Sequence, residues 1–214
     1  MPLQAKTPRA KTPQAEIPQA KTPLPETPRK LIHTRNIVCQ GFLREDGLWD
    51  IEGHITDVKT YQWINPFRGI VGPGMPIHEM VIRLTMDDAL EVRAVETTMD
   101  HTPYPICPEV APNFQRLVGL RIRQGWRRQV RERLGGVEGC THMVELLSPL
   151  ATTAFQTIIP YQRFLQRQSL KAGEEDTTTR RPGQIDTCYS WAGNREVVRR
   201  YLPDFYTGEA AASD

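Results

Sequence analysis

The order of the hydrophobic patterns constrains the fold of this chain most, because strand-type patterns precede Met99 and helix-type patterns follow it. Four segments alternate apolar and polar side chains as half-buried strands do, namely residues 36–43, 48–58, 77–85 and 90–98. Turn signals separate neighbouring segments at residues 45–47 and 87–88. Strands first and helices afterwards predict an α+β fold, an antiparallel meander of about four strands covered by helices.

Two local details follow from the same patterns. Residues 65–76 are rich in Gly and Pro and are expected to form a loop. In the last strand, Leu90, Val92 and Ala94 are expected on one face, because side chains two positions apart along a strand share a face.

Three helices are predicted after the strands. Residues 110–118 indicate a short one, and a second is expected to end at Gly135 and Gly136. A third should begin at Cys140, and Pro149 should kink or split it. The apolar positions of the second recur every four residues, at Ile122, Trp126, Val130 and Leu134. An apolar stripe on the third can lie on the sheet, formed by Val144, Leu147, Ala151, Ala154 and Ile158.

The chain divides into one core with extensions. Residues 1–30 carry a proline at about every fifth position, which forbids a helix, so this repeat tail is expected to be disordered. The core is expected over residues 31–169, followed by a polar linker at 170–184. Residues 185–208 contain enough aromatic and aliphatic side chains to dock on the core, and residues 209–214 should fray.

Composition narrows the function classes. A net charge of +2 gives no general attraction to nucleic acid, so a protein partner is the more plausible macromolecular one. Because apolar runs are short and no apolar signal segment is present, we expect a cytoplasmic protein that makes no membrane contact. Without a secretion signal, the four widely spaced cysteines are expected to be free thiols or ligands rather than disulfides, namely Cys39, Cys107, Cys140 and Cys188.

The stretch from Gly135 to His142 sets a thiol and an imidazole two residues apart, where the third helix should begin. The partial positive charge at a helix N-terminus favours a thiolate, so Cys140 is a candidate metal ligand or nucleophile. Residues two apart on a helix point about 200° apart, which would turn His142 away from Cys140. We therefore favour His78 as the catalytic base, with His101 as a further candidate.

A metal site built from separate elements is the first functional hypothesis. Cys107 follows the last strand and Cys140 begins the covering helix, so both should lie at one end of the sheet. His78, His142 and Cys188 are the candidates to complete the ligand shell. Thiolate and imidazole ligands suit zinc or iron.

Six stretches of the chain carry a resemblance to a known family, namely residues 47–54, 76–80, 103–107, 134–142, 145–147 and 151–156. Through them, residues 33–206 resemble a bacterial family catalogued as domain of unknown function number 2889. The resemblance implies no established activity.

A more distant similarity concerns architecture. The succession of hairpin, Cys107, basic helix and Cys140 is similar to iron–sulfur scaffold proteins of the NifU-like kind. That similarity implies an iron–sulfur accessory role in which these two cysteines match the scaffold's second and third ligands. The position of the first ligand is different, because His78 or its neighbours stand where the scaffold has cysteine.

Two clusters of charged residues can be interpreted either as functional sites or as ordinary solvent-exposed surface. Asp50, Glu52 and His54 share one strand face, where they form either an acid–base or metal row or a solvated surface. Six arginines surround Trp126 and form either an anion-binding patch or a solvated helix face, namely Arg121, Arg123, Arg127, Arg128, Arg131 and Arg133.

Three functions therefore stay open. The first is a metal- or iron–sulfur-cluster-binding accessory protein that uses Cys107 and Cys140. The second is a thiol-dependent enzyme acting on a small molecule, with Cys140 as nucleophile. The third is a non-catalytic partner-binding module in which Arg127, Arg128 and Arg131 make the contact.

Overall fold

The computed structural model describes residues 27–169 and 181–208. Most of the proposed repeat tail, most of the linker and the whole of the 209–214 end lie outside these described residues, so those three assignments stay predictions.

Within the described part of the chain, six strands form two antiparallel sheets. The strands are β1 (His33–Leu43), β2 (Trp49–Lys59), β3 (Trp63–Asn65), β4 (Gly69–Val71), β5 (Pro76–Met86) and β6 (Val92–His101). The larger sheet has the order β1-β2-β5-β6, which confirms the predicted meander and the α+β class. The smaller sheet pairs β3 with β4. The β3 strand ends where the predicted loop of residues 65–76 begins, and β4 lies inside that loop. The side-chain oxygen of Asn65 accepts hydrogen bonds from two backbone N–H groups of this turn and so stabilises it.

The helical half differs from the sequence prediction in three places. The first predicted helix is a 3-10 helix, Cys107–Leu117, and it contains Pro112, which cannot donate a backbone hydrogen bond. The second, α1 (Trp126–Leu134), begins later than predicted because Gly125 takes a left-handed conformation with φ 91°. The third, α2 (Thr141–Ser169), is continuous through Pro149 and Pro160, so Pro149 does not split it, one of the two outcomes predicted. A short α3 (Glu196–Tyr201) follows, with 3-10 turns at Gly136–Glu138 and Pro203–Phe205.

Packing explains why α2 survives its prolines. Each proline removes one backbone hydrogen bond, whereas one face of the helix is buried from Met143 to Ile158, a stretch that contains Pro149. That face lies on the sheet side where Trp49, Ile51 and Ile55 are at most 3% exposed. The buried helix residues are Met143, Leu146, Leu147, Leu150, Ala154 and Ile158.

A bulge between β5 and β6 changes which residues of β6 face the core. Val92 pairs with Met86 and Val95 with Leu84, and the register shifts in between. Val92 and Val95 are buried, whereas Ala94 is only half-buried. The prediction that Ala94 shares the face of Val92 is therefore wrong, because a bulge inserts one residue into the alternation.

In residues 181–208, Ile185 and Val198 are buried, and Arg163 of α2 donates a hydrogen bond to Gln184 at 3.3 Å. None of the helices in residues 27–169 and 181–208 has the length and apolar character needed to cross a membrane.

The close approach of β1 to α2 yields a stability prediction. A Cβ built on Gly41 would lie 2.6 Å from Cγ2 of Thr157, so Gly41→Ala should force the helix away from the sheet. We expect urea unfolding to show a loss of about 1–3 kcal/mol. Gly183→Ala is the matched control, because nothing lies within 4 Å of that position. Equal stabilities of the two variants would contradict the prediction.

Candidate metal centre at the start of the long helix

The register of the sheet brings three polar side chains together on its helix-covered face. The inward row of β2 continues past Ile55 to Asp57, which is 1% exposed. Arg35 of β1 and His78 of β5 lie opposite Asp57 on either side. Because directly paired residues point to the same face, the three side chains converge.

The start of α2 covers this group. Gly139 leads into Cys140, and a Cβ at Gly139 would overlap the carbonyl oxygen of Leu134, so the turn requires glycine. Cys140 precedes the helix, and His142 lies in its first turn. The ring of His142 stacks on that of His78, with centroids 3.7 Å apart and planes 30° apart.

Asp57 is the centre of the hydrogen-bond network. Its Oδ1 accepts from Arg35 Nε at 2.9 Å and from His33 Nε2 at 3.0 Å. Its Oδ2 accepts from Arg35 Nη2 at 2.9 Å and from His78 Nδ1 at 3.0 Å. The Nε2 atom of His142 lies 3.9 Å from the same oxygen. The remaining Nη1 of Arg35 donates to Glu145 of α2 at 2.6 Å.

These contacts set the protonation states. Burial raises the pKa of Asp57, but the hydrogen bonds from Arg35 and His33 outweigh burial and lower it to about 2. Burial lowers the pKa of His78 to about 4, and nearby His142 acts in the same direction. Burial and then Arg35 lower the pKa of His142 below its usual value. Near pH 7 the site therefore holds an ionised carboxylate and two neutral imidazoles.

Those are the protonation states that a metal ion requires. One ligand atom from each of Asp57, His78 and His142 lies within 4.8 Å of the others. Ligands must be deprotonated before they bind, and imidazole with carboxylate suits zinc or ferrous iron. The structure therefore contains a candidate metal site of two histidines and one aspartate.

Cys140 contacts this site from its edge. Its Sγ lies 3.9 Å from Nδ1 of His142, within hydrogen-bond range for sulfur. Since Cys140 stands before the helix, the angular argument against His142 as its partner does not hold. The residue that contacts the thiol is His142, and the hydrogen bond of His78 Nδ1 goes to Asp57.

The cysteines do not form the predicted metal site. Cys107 and Cys140 line one open pocket of about 380 Å³, but neither belongs to a three-ligand cluster among the described residues. Cys188 is exposed, and all four cysteines are free thiols. Of the predicted ligands, His78 and His142 therefore belong to the candidate cluster with Asp57, whereas Cys107, Cys140 and Cys188 do not.

The row Asp50, Glu52 and His54 lies on the sheet face opposite α2, where its partners come from neighbouring strands. Arg83 has its Nη2 atom 2.7 Å from Oε1 of Glu52 and its Nε atom 4.0 Å from Oδ2 of Asp50. His54 lies 3.6 Å from Glu79, and His101 lies 2.9 Å from the same carboxylate. These contacts match the surface interpretation, and they place His101 away from the thiol.

The arginine-rich segment resembles a solvated helix face. Arg121 pairs with Glu91 at 3.3 Å and Arg128 with Glu132 at 3.7 Å. Trp126 is 5% exposed, and its indole N–H donates to the carbonyl of Leu147. The tryptophan therefore belongs to the core.

Sequence reasoning missed His33, Arg35, Asp57 and Glu145. A signal for Asp57 was present, because it continues the inward row of Trp49, Ile51 and Ile55, where a carboxylate needs a partner. The identity of that partner depends on strand register, which the pattern of one strand does not give.

A family model described as protein of unknown function (DUF2889) matches residues 33–156. The matched region includes all residues of the candidate centre. Neither a search of curated proteins nor a search of solved structures finds a significant match. The similarity to NifU-like scaffold proteins therefore has no support from a solved structure.

The lowered pKa of His78 predicts a pH dependence of stability. Its folded pKa of about 4 lies below the ordinary 6.5, so the unfolded chain binds more protons between these values. Stability should fall as the pH falls through that window. His78→Gln should remove about 2 kcal/mol of the loss between pH 7 and pH 4.5, a value discounted for partial solvation. Urea unfolding with a chelator present measures it, and equal losses in both proteins would contradict the prediction.

Proposed function

We propose that this chain, which belongs to the DUF2889 family of proteins of unknown function, binds one divalent transition-metal ion through Asp57, His78 and His142. The observation that carries the proposal is the convergence of three ligand atoms within 4.8 Å from β2, β5 and α2. Support also comes from the ionised state of the carboxylate and the neutral state of both imidazoles.

The donor set favours zinc or ferrous iron over an iron–sulfur cluster. Clusters are held mainly by cysteine thiolates, and no cysteine belongs to the three-ligand group among the described residues. Three protein ligands leave coordination positions open, as in catalytic rather than structural zinc sites. A metal held in this way could activate water or polarise an oxygen of a substrate. We propose a metal-dependent accessory or catalytic role in the cytoplasm.

A second candidate function is thiol chemistry, favoured by the contact between Cys140 and His142. His142 has its Nδ1 atom 3.9 Å from the sulfur and its Nε2 atom 3.9 Å from Asp57. A nucleophile, a base and an orienting carboxylate stand in this order in cysteine enzymes. Cys140 also lines an open pocket that a small electrophile could enter. The two functions compete for His142, so experiments can separate them.

Metal analysis tests the first proposal. Purified protein reloaded with Zn²⁺ or Co²⁺ should retain about one equivalent, because the donors form one site. His78→Ala and His142→Ala should each weaken binding by more than about 100-fold, since even outer-shell partners change affinity by about 10–100-fold. Elemental analysis and the Co²⁺ absorption spectrum measure the outcome.

Two variants serve as matched controls. His54→Ala removes a half-exposed histidine from the opposite face of β2, and Cys107→Ala removes a pocket thiol; both should retain the metal. Wild-type protein that fails to bind either ion would exclude the metal centre. Loss of metal in Cys107→Ala would instead support the sulfur-based site.

Thiol reactivity tests the second candidate. If Cys140 is the nucleophile, iodoacetamide should modify it faster than Cys188 although Cys188 is the more exposed. His142→Gln should slow that modification at least about tenfold, because it removes the base. Peptide mass spectrometry of timed samples gives both rates. Modification in the order of exposure would exclude thiol catalysis.

A further inference from the structure

The carboxylate of Asp57 has no free acceptor position. An ionised carboxylate offers about four lone-pair sites, two on each oxygen. Arg35 fills two of them, and His33 and His78 fill one each. A metal ion that binds Asp57 directly must therefore displace one of these donors.

Charge identifies Arg35 as the donor that leaves. A guanidinium is always protonated, so Arg35 and a divalent cation on the same carboxylate would repel each other. His33 is a weaker obstacle, because it contacts only Oδ1 and its side chain is 40% exposed. His78 keeps its hydrogen bond from Nδ1 to Asp57 when a metal binds its other ring nitrogen, Nε2, because histidine ligands commonly donate their remaining N–H to a carboxylate.

Arg35 also has a second carboxylate within reach. Its Nη1 atom already donates to Oε2 of Glu145 at 2.6 Å. The Glu145 side chain is 50% exposed, whereas that of Asp57 is 1% exposed. A guanidinium that leaves Asp57 can therefore keep an ion pair with Glu145 without being left as an isolated buried charge.

We infer that Arg35 and the metal ion compete for Asp57, and that Glu145 holds Arg35 when the metal binds. This inference rests on the proposed metal centre. Arg35 is then the residue that sets metal affinity, because loading the site requires breaking its two hydrogen bonds to Asp57. Metal loading is also coupled to the contact between β1 and α2, which Arg35 and Glu145 form.

Zn²⁺ affinity in a set of purified full-length variants tests the competition. Arg35→Gln should bind Zn²⁺ at least about tenfold more tightly than wild type, because the repulsion between the guanidinium and the metal ion is gone. Glu145→Gln should bind several-fold more weakly, because Arg35 loses its alternative partner. In the double variant the effect of Glu145→Gln should shrink, since no arginine remains to be held. Competition against a chromophoric chelator at fixed pH and ionic strength gives each affinity.

Arg83→Gln is the matched control. It removes an arginine whose Nε atom donates a hydrogen bond to Glu52 at 2.8 Å on the opposite face of the sheet, so Zn²⁺ affinity should not change. Structural damage at the site would weaken binding, whereas the competition predicts an increase for Arg35→Gln. If that variant does not fold, Arg35→Lys is the alternative, because lysine keeps the charge but cannot donate hydrogen bonds to both oxygens of Asp57 in the way arginine does. This variant should bind Zn²⁺ more tightly than wild type, by a smaller factor than Arg35→Gln.

The outcomes separate the two proposals. If wild type and all variants fail to bind Zn²⁺, the metal centre itself is excluded. If wild type binds Zn²⁺ and neither Arg35→Gln nor Arg35→Lys binds it more tightly, the competition is excluded and the metal centre stands. A tighter Arg35→Gln variant with an undiminished Glu145→Gln effect in the double variant would overturn the role of Glu145.

Discussion

The ion pair between Asp57 and Arg35 is the interaction on which this end of the domain depends. A carboxylate with 1% exposure is strongly destabilising unless charged and polar partners replace its water. The guanidinium fork of Arg35 bonds both oxygens, which is the strongest arrangement available to such a pair. Because Arg35 also bonds Glu145, one side chain ties the edge strand β1 to both β2 and α2. Strand register and helix position are thus linked through a single buried charge.

The same ion pair gives the site its chemical character. It keeps Asp57 ionised far below neutral pH, while burial keeps the neighbouring imidazoles neutral. An ionised carboxylate beside neutral imidazoles favours metal binding, but the guanidinium opposes a second cation. In this view stability and ligand binding act against each other at Asp57, as is common where a functional site is built from buried charge.

The two faces of β2 show how burial changes the meaning of similar residues. Asp50, Glu52 and His54 on the outer face have partners on neighbouring strands and contact with water. On the other face, α2 excludes water from Asp57, so its partners must be fixed and its pKa is strongly shifted. The chemistry of the candidate centre therefore follows from the helix that covers it more than from the residue types in it.

Local periodicity was enough to predict the class of the fold and most of its elements. It failed where a non-local contact decided the outcome. Because of a bulge between β5 and β6, Val95 rather than Ala94 lies on the inner face of the sheet. Packing on the sheet keeps α2 continuous through Pro149. For the site, His78 and His142 were identified by residue type, as candidate nitrogen ligands. The predicted cysteine ligands do not belong to the candidate cluster, because two residues can lie at the same end of a sheet without sharing a coordination sphere.

The sequence by itself determined the order of strands and helices, the inward direction of Asp57 along β2 and the glycine turn before Cys140, since these depend on near neighbours and backbone sterics. Only the tertiary structure decided which side chains form hydrogen bonds with Asp57. Arg35 lies 22 residues from Asp57 and 110 residues from Glu145 along the chain, and strand register and helix docking bring them together. Those arrangements minimise the free energy of the whole core, which no single segment specifies.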